Sequence, residues 1–348
     1  MAAHLSAQSP APKSSATPTP TPATAAILNA MDSAEVQQAI GLLKSNFINP
    51  AALNEVELNR ATLEGLMARL GHGVMLLPAG GSKEATPATN VPYSEVLDNH
   101  IGYLRLGELS ADNLKAMDGA LKTFASKKVD ALVIDLRATP SASDFGMAAE
   151  FMKRFVPKGK TLFTVRKPAV KQDRVFSSDR DPAYDGMIIV LADVDTSGAG
   201  EAFASILRYY DRAMIIGQPT AGRAVEYSDL PLSDGKILRV AVGEIILPEG
   251  KALFPHGAIP DVPVEMSAAD KRQVFEESLK SGMAAFVFEK ERPHFNEAAL
   301  LAGTNPEIDV TDSAQDRGAR SAAKTNLRDP VVQRAVDLVT SLAVYQKR

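Results

Sequence analysis

Ala131-Leu132-Val133-Ile134-Asp135-Leu136 and, further along, Met187-Ile188-Ile189-Val190-Leu191-Ala192 decide the class of fold. Each is a short apolar run without the alternation of a half-exposed strand. Such a run reads as a strand covered on both faces by helices. The flanking sequence supplies those helices. Ser110 is placed to cap one that ends near 126, and helical patterns follow at about 143–155 and 198–210. Further strands are expected at 101–106 and 213–217, and an antiparallel ribbon at 237–247 after the turn Ser233-Asp234-Gly235. Strands that alternate with helices specify an α/β layered core.

Outward from this core the texture changes. Residues 1–25 are almost all Ala, Pro, Ser and Thr, including Thr17-Pro18-Thr19-Pro20-Thr21-Pro22. This composition buries too little apolar surface to offset its ordering entropy, so 1–26 is expected to be a disordered tether. It has no apolar signal-peptide region. A tether of this kind suggests a periplasmic or otherwise extracytoplasmic protein whose export signal has been removed; a cytoplasmic tail is the other reading. A helical segment is expected over 27–78. In it Val36, Ile40 and Leu43 recur at helical spacing, and Leu58, Leu63, Leu66, Met67 and Leu70 form a stripe expected to be buried. Residues 79–92 read as a linker, 93–266 as the core, and 267–348 as a closing helical segment. The last helix is expected over about 330–343, with Asp329 as cap and Pro330 at its first position.

Composition narrows the chemistry. The chain of 348 residues has no cysteine, which excludes disulfides and thiolate metal sites. Its five histidines (His4, His72, His100, His256, His294) are far apart, so no metal site is expected. No cofactor is implied. The net charge of −4 lacks the basic footprint of a nucleic-acid binder. No apolar run reaches the roughly 18 residues of a membrane-spanning helix.

The order of these elements resembles the carboxyl-terminal processing (tail-specific) serine protease family. "IGYLRLGELS" (101–110) looks like that family's opening strand, and "ALVIDLRATP" (131–140) like its "LILDLRNNPGG" segment. "YDGMIIVLAD" (184–193) resembles the strand leading to the nucleophile, and "YYDRAMIIGQPTAGR" (209–223) resembles "DYGRAVIVGEKTFGK", which leads to the catalytic lysine. "LPLSDGKILRVAVGEIILPEGK" (230–251) and "HGAIPDVPVE" (256–265) fill the last positions. The resemblance covers about 33–266. It implies a layered ClpP/crotonase-like core with mixed sheets, flanked by helical amino- and carboxyl-terminal segments. The family's PDZ module has no room, since only 77–92 separates the first helices from the core.

The resemblance also implies a serine nucleophile and a lysine base, the lysine kept neutral by burial. The family's serine stands third in "SASASE", and its lysine follows 25 positions later. The matching string is Thr196-Ser197-Gly198-Ala199-Gly200-Glu201, which puts Gly198 at the nucleophile. Twenty-five positions on stands Arg223, after "PTAG". The supporting glutamine of the family falls on Tyr227, and the glycine pair of the oxyanion loop on Ser141 and Ala142. Glycine offers no nucleophile, and a guanidinium does not act as a general base. Ser197 is a weak alternative nucleophile; one residue of offset turns its hydroxyl away, and it reads more naturally as a helix N-cap.

Three functions are therefore open. The first is a non-catalytic scaffold that binds a polypeptide or protein partner, working as a homo-oligomer, with a dimer as the working guess. The second is an active serine endopeptidase built around Ser197. The third is small apolar ligand binding in the former active-site hollow. A salt bridge from Arg223 to Glu226 or Glu201 would mark the position as structural, and an open hollow would favour a ligand. Asp135 and Arg137 match a structural strand end and are expected to pair locally. His256 is expected to be exposed and His72 to end a helix.

Overall fold

The structure, a computed structural model, describes residues 22–80, 91–139, 144–288 and 327–346. It contains two compact units, which meet in sequence between Arg69 and Leu70. The first unit holds α1 (Pro22–Ala30), α2 (Ser33–Asn46) and α3 (Glu55–Leu70), the last residue of α3 opening the second unit. Helix α1 begins inside the stretch expected to be tether. The run Ala-Ile-Leu is a better helix former than the Pro/Thr repeat before it, and Pro22 is tolerated in a first turn. Asp32 closes a capping box with Glu35 at the start of α2. The stripe expected to be buried is not. Leu63, Leu66 and Leu70 are 40–50% exposed, and neither α2 nor α3 buries a residue. A helical stripe is covered only where a second layer meets it, which helical spacing alone cannot supply.

The second unit is built on two sheets. Its strands are β1 (Val74–Leu77), β2 (Tyr93–Leu97), β3 (Ile101–Arg105), β4 (Ala131–Asp135), β5 (Thr161–Lys167), β6 (Gln172–Ser177), β7 (Met187–Ala192), β8 (Ala213–Gly217), β9 (Val225–Pro231), β10 (Ile237–Ile246) and β11 (Val262–Pro263). The larger sheet has the order β11-β8-β7-β4-β3-β2. It is parallel except for the antiparallel edge strand β2. The other sheet runs β1-β10-β5-β6, with β9 folded back on β10. Strand β1 falls within the span expected to be helical and is instead an edge of this second sheet.

The larger sheet is the reason the apolar runs are unbroken. Its side chains alternate between two separate cores. Leu132, Ile134, Ile188 and Val190 enter one core with Phe124 of α4 (Ala111–Ser126), Phe145 of α5 (Phe145–Met152) and Phe203 of α6 (Ala199–Tyr209). Ala131, Val133, Ile189 and Leu191 enter the other. That core is closed by Phe275 of α7 (Ala268–Ser281), Phe286 of α8 (Ala284–Val287) and Val332 of α9 (Pro330–Gln346). Ser110 caps α4 through Asn113 N, as expected, and Asp329 caps α9 through Val331 N and Val332 N. The architecture is a mixed α/β core with two sheets and flanking helices. No helix among the described residues is long and apolar enough to cross a membrane.

Candidate functional site

The parallel strands deliver their carboxyl ends to one edge of the large sheet, where open α/β sheets place ligands. The segment from the end of β7 into α6 carries Thr196, Ser197 and Gly198. Thr196 is buried, and its hydroxyl donates to Leu136 O while accepting from Asp193 N. Gly198, not Ser197, is the N-cap of α6. Its backbone sits at φ 57°, ψ −115°, a region that side chains other than hydrogen rarely enter. Ser197 lies one residue outside the helix, is 4% exposed, and accepts from Gly200 N through its carbonyl.

One buried carboxylate organises the site. Glu201 Oε2 accepts from Gly198 N at 2.9 Å and from Arg223 N at 2.7 Å. Its Oε1 accepts from the Thr220 hydroxyl at 2.7 Å and from Gly222 N. Burial pushes the Glu201 carboxyl up, against the pull of these four donors. Two positions 25 apart in sequence are thus joined through one oxygen atom. The loop that carries Arg223 can come this close because Gly222 has φ 67°, and a Cβ there would collide with Pro255 O.

Arg223 pairs with neither acid named as its partner from sequence. Glu226 is taken by Lys167 Nζ and Arg174 Nη2, both at 2.6 Å. The guanidinium of Arg223 instead donates from Nε to Nδ1 of the exposed His72 at 3.2 Å. Tyr227, half-buried on β9, donates its hydroxyl to His72 O at 2.8 Å. His72 belongs to a single 3-10 turn, Gly71–Gly73, between α3 and β1. Burial first and the Arg223 charge second hold its imidazole below the usual histidine range. Nothing in the sequence around His72 announced this contact, which spans 151 positions. Its one local signal was a histidine between two glycines. Ser141 and Ala142, expected in the oxyanion loop, lie outside the described residues. His256 is exposed, as expected. Among the described residues no group of His, Cys, Asp and Glu side chains is placed to hold a metal ion.

Behind the site, Asp135 and Arg137 pair as expected and extend the network. Arg137 donates from Nε to Asp135 Oδ1 at 3.0 Å and from Nη2 to Asp135 Oδ2 at 2.7 Å. It also bridges to Asp329 at 2.8 and 3.1 Å, and Tyr103 donates to Asp135 at 2.7 Å. Burial would raise the Asp135 carboxyl, but the Arg137 charge and its hydrogen bonds outweigh this and hold it low. Lys271 of α7 reaches Asp193, Asp195 and Arg137 O, so a helix beyond the core pins the turn before Ser197.

Comparison with known proteins bears on the core. Residues 100–264 match Peptidase family S41. A carboxyl-terminal-processing protease of Synechocystis is 27% identical over 165 residues, which span 47% of this chain and 38% of the relative. The chloroplastic carboxyl-terminal-processing peptidase 2 of Arabidopsis thaliana is 29% identical over 185 residues, 53% of this chain and 36% of the relative. The chain therefore spans less than half the length of these relatives. Among solved structures, a candidate peptidase from Parabacteroides merdae superposes with a TM-score of 0.50 at 17% identity, over 70% of this chain and 85% of its own.

Proposed function

Because this chain carries a core of Peptidase family S41, we propose that it is a non-catalytic member of that family which holds a polypeptide without cutting it. The observation that carries this is the pair Gly198 and Arg223, joined through Glu201 where the family resemblance puts nucleophile and base. Glycine has no atom to attack a carbonyl, and a guanidinium does not take a proton from a hydroxyl. What the site retains is backbone held in place and polar side chains turned to the surface, which suits binding. The half-exposed helices α2 and α3 favour a homo-oligomer, a dimer being the simplest. The Ala/Pro/Thr-rich opening favours an extracytoplasmic location.

The test is hydrolysis of casein and of a fluorogenic peptide by the unmodified chain and by Ser197→Ala. No turnover by either is the expected result. Turnover that disappears in Ser197→Ala would replace this proposal with an active peptidase. Binding is measured separately, by retention of unfolded casein on the immobilised protein, which is expected without any cleavage.

A further inference from the structure

We propose that Arg223, oriented by His72, is a receptor for a carboxylate, by which the chain takes hold of a polypeptide through its free C-terminus or through an acidic side chain. This rests on the polypeptide-binding proposal above and adds the group that is recognised.

The guanidinium is the starting point. Its Nε–H is used on His72 Nδ1, and among the described residues neither Nη1 nor Nη2 has a hydrogen-bond or ion-pair partner. The Arg223–His72 contact faces solvent, so the open edge of the guanidinium is within reach of a ligand. Glu201 and the two acids that follow Arg223 on β9 are committed. Glu201 has both oxygens filled by Gly198 N, Arg223 N, Gly222 N and the Thr220 hydroxyl. Glu226 is shared by Lys167 and Arg174, and Asp229 is paired with Arg239. The chain thus places a positive fork at its former chemical centre and leaves the fork open.

His72 fits the same purpose. A neutral imidazole that accepts at Nδ1 carries its hydrogen on Nε2, on the far side of the ring, so His72 orients the fork and does not share its ligand. The lowered pKa of His72 keeps the ring in that neutral form at ordinary pH. The contact with Nδ1 and the Tyr227 bond to His72 O hold the histidine in place and restrain the guanidinium plane. Two terminal nitrogens in one plane match the two oxygens of a carboxylate, which is why arginine and not lysine is used for bidentate recognition. Through Glu201 the Arg223 backbone is tied to the Gly198 backbone, which roots the stem of the fork beside the α6 turn.

The experiment follows the Arg223 Nε–H and His72 ring signals of the full chain by NMR, with Arg223→Lys used for assignment. Four probes are titrated at constant ionic strength made up with chloride. They are sodium acetate, tetra-alanine with a free C-terminus, its C-terminal amide, and an acetylated, amidated Ala-Glu-Ala peptide. Acetate and at least one carboxylate peptide are expected to move both signals, and the tetra-alanine amide is not. Arg223→Lys, which keeps the charge but not the fork, is expected to weaken the response at least tenfold. A response to the free C-terminus alone assigns the receptor to chain ends, and a response to the glutamate peptide alone assigns it to side chains. If the free acid and the amide bind equally, the carboxylate receptor is wrong while polypeptide binding stands. If no probe binds and casein is not retained either, both proposals fall.

Discussion

At Gly198 a single hydrogen in place of a side chain permits the backbone conformation of the turn. With φ 57° and ψ −115° the position is strained for any other residue. Gly198→Ser is therefore expected to destabilise the protein by about 1–3 kcal/mol, read as a lower denaturation midpoint in urea. An unchanged midpoint would mean that the turn relaxes. The double change Gly198→Ser, Arg223→Lys is expected to remain without peptidase activity, because Tyr227 is also altered from the family pattern; recovered hydrolysis would show that change to be tolerated. His72 offers a second measurement at this scale. Its folded pKa lies below the ordinary 6.5. Its contribution to stability is therefore present above about 6.5 and lost as pH falls through the lower folded value. Titrating the ring by NMR is expected to give a midpoint below 6.5, and Arg223→Gln, which removes the neighbouring charge, is expected to raise it. A midpoint that does not respond would separate the two side chains in solution.

Among the elements, α9 is the one most dependent on charge. Asp329 both caps it and answers Arg137 in the core, where neither group reaches water. Asp329→Ala leaves Arg137 with Asp135 alone and removes a cap, a loss of about 3–5 kcal/mol. Thermal unfolding is the check; a change of under about 1 kcal/mol would show that Asp135 suffices. The pH dependence has a defined sign. Asp135 is held below its unfolded value of about 3.9, so its stabilisation is full above that pH and fades as pH falls through the folded value. The elements also divide by how visible they were. Strands β4, β7 and β8 announced themselves, because burial on both faces demands a continuous apolar run. The hairpin β5–β6 went unread. Its residues Arg166, Lys171, Asp173 and Arg174 are exposed, and a half-solvated hairpin with a mixed pattern resembles a loop in sequence. Strands β1 and β2 were hidden for the same reason, being edges with half-buried patterns.

For the whole molecule, the open question is what lies against the first helices. Leu42, Leu43, Leu66 and Leu70 are half exposed, a spread of apolar surface unusual for a lone chain. A dimer in solution is expected by light scattering. Leu43→Asp with Leu66→Asp is expected to weaken association at least tenfold without changing the melting temperature of the core. A monomeric unmodified chain would dispose of this.

The sequence by itself determined the layered α/β class and the caps at Ser110 and Asp329; matching Gly198, Arg223 and Tyr227 to catalytic positions rests on the family resemblance and belongs to the proposal. Each of these depends on local spacing, on residue type or on an ordered series of motifs. Only the tertiary structure decided that Glu201 ties Gly198 to Arg223, and that the guanidinium meets His72 instead of an acid. It also decided that the early helical stripes stay uncovered. Such facts arise from chain segments distant in sequence and joined by packing, and no local pattern encodes which of them will meet.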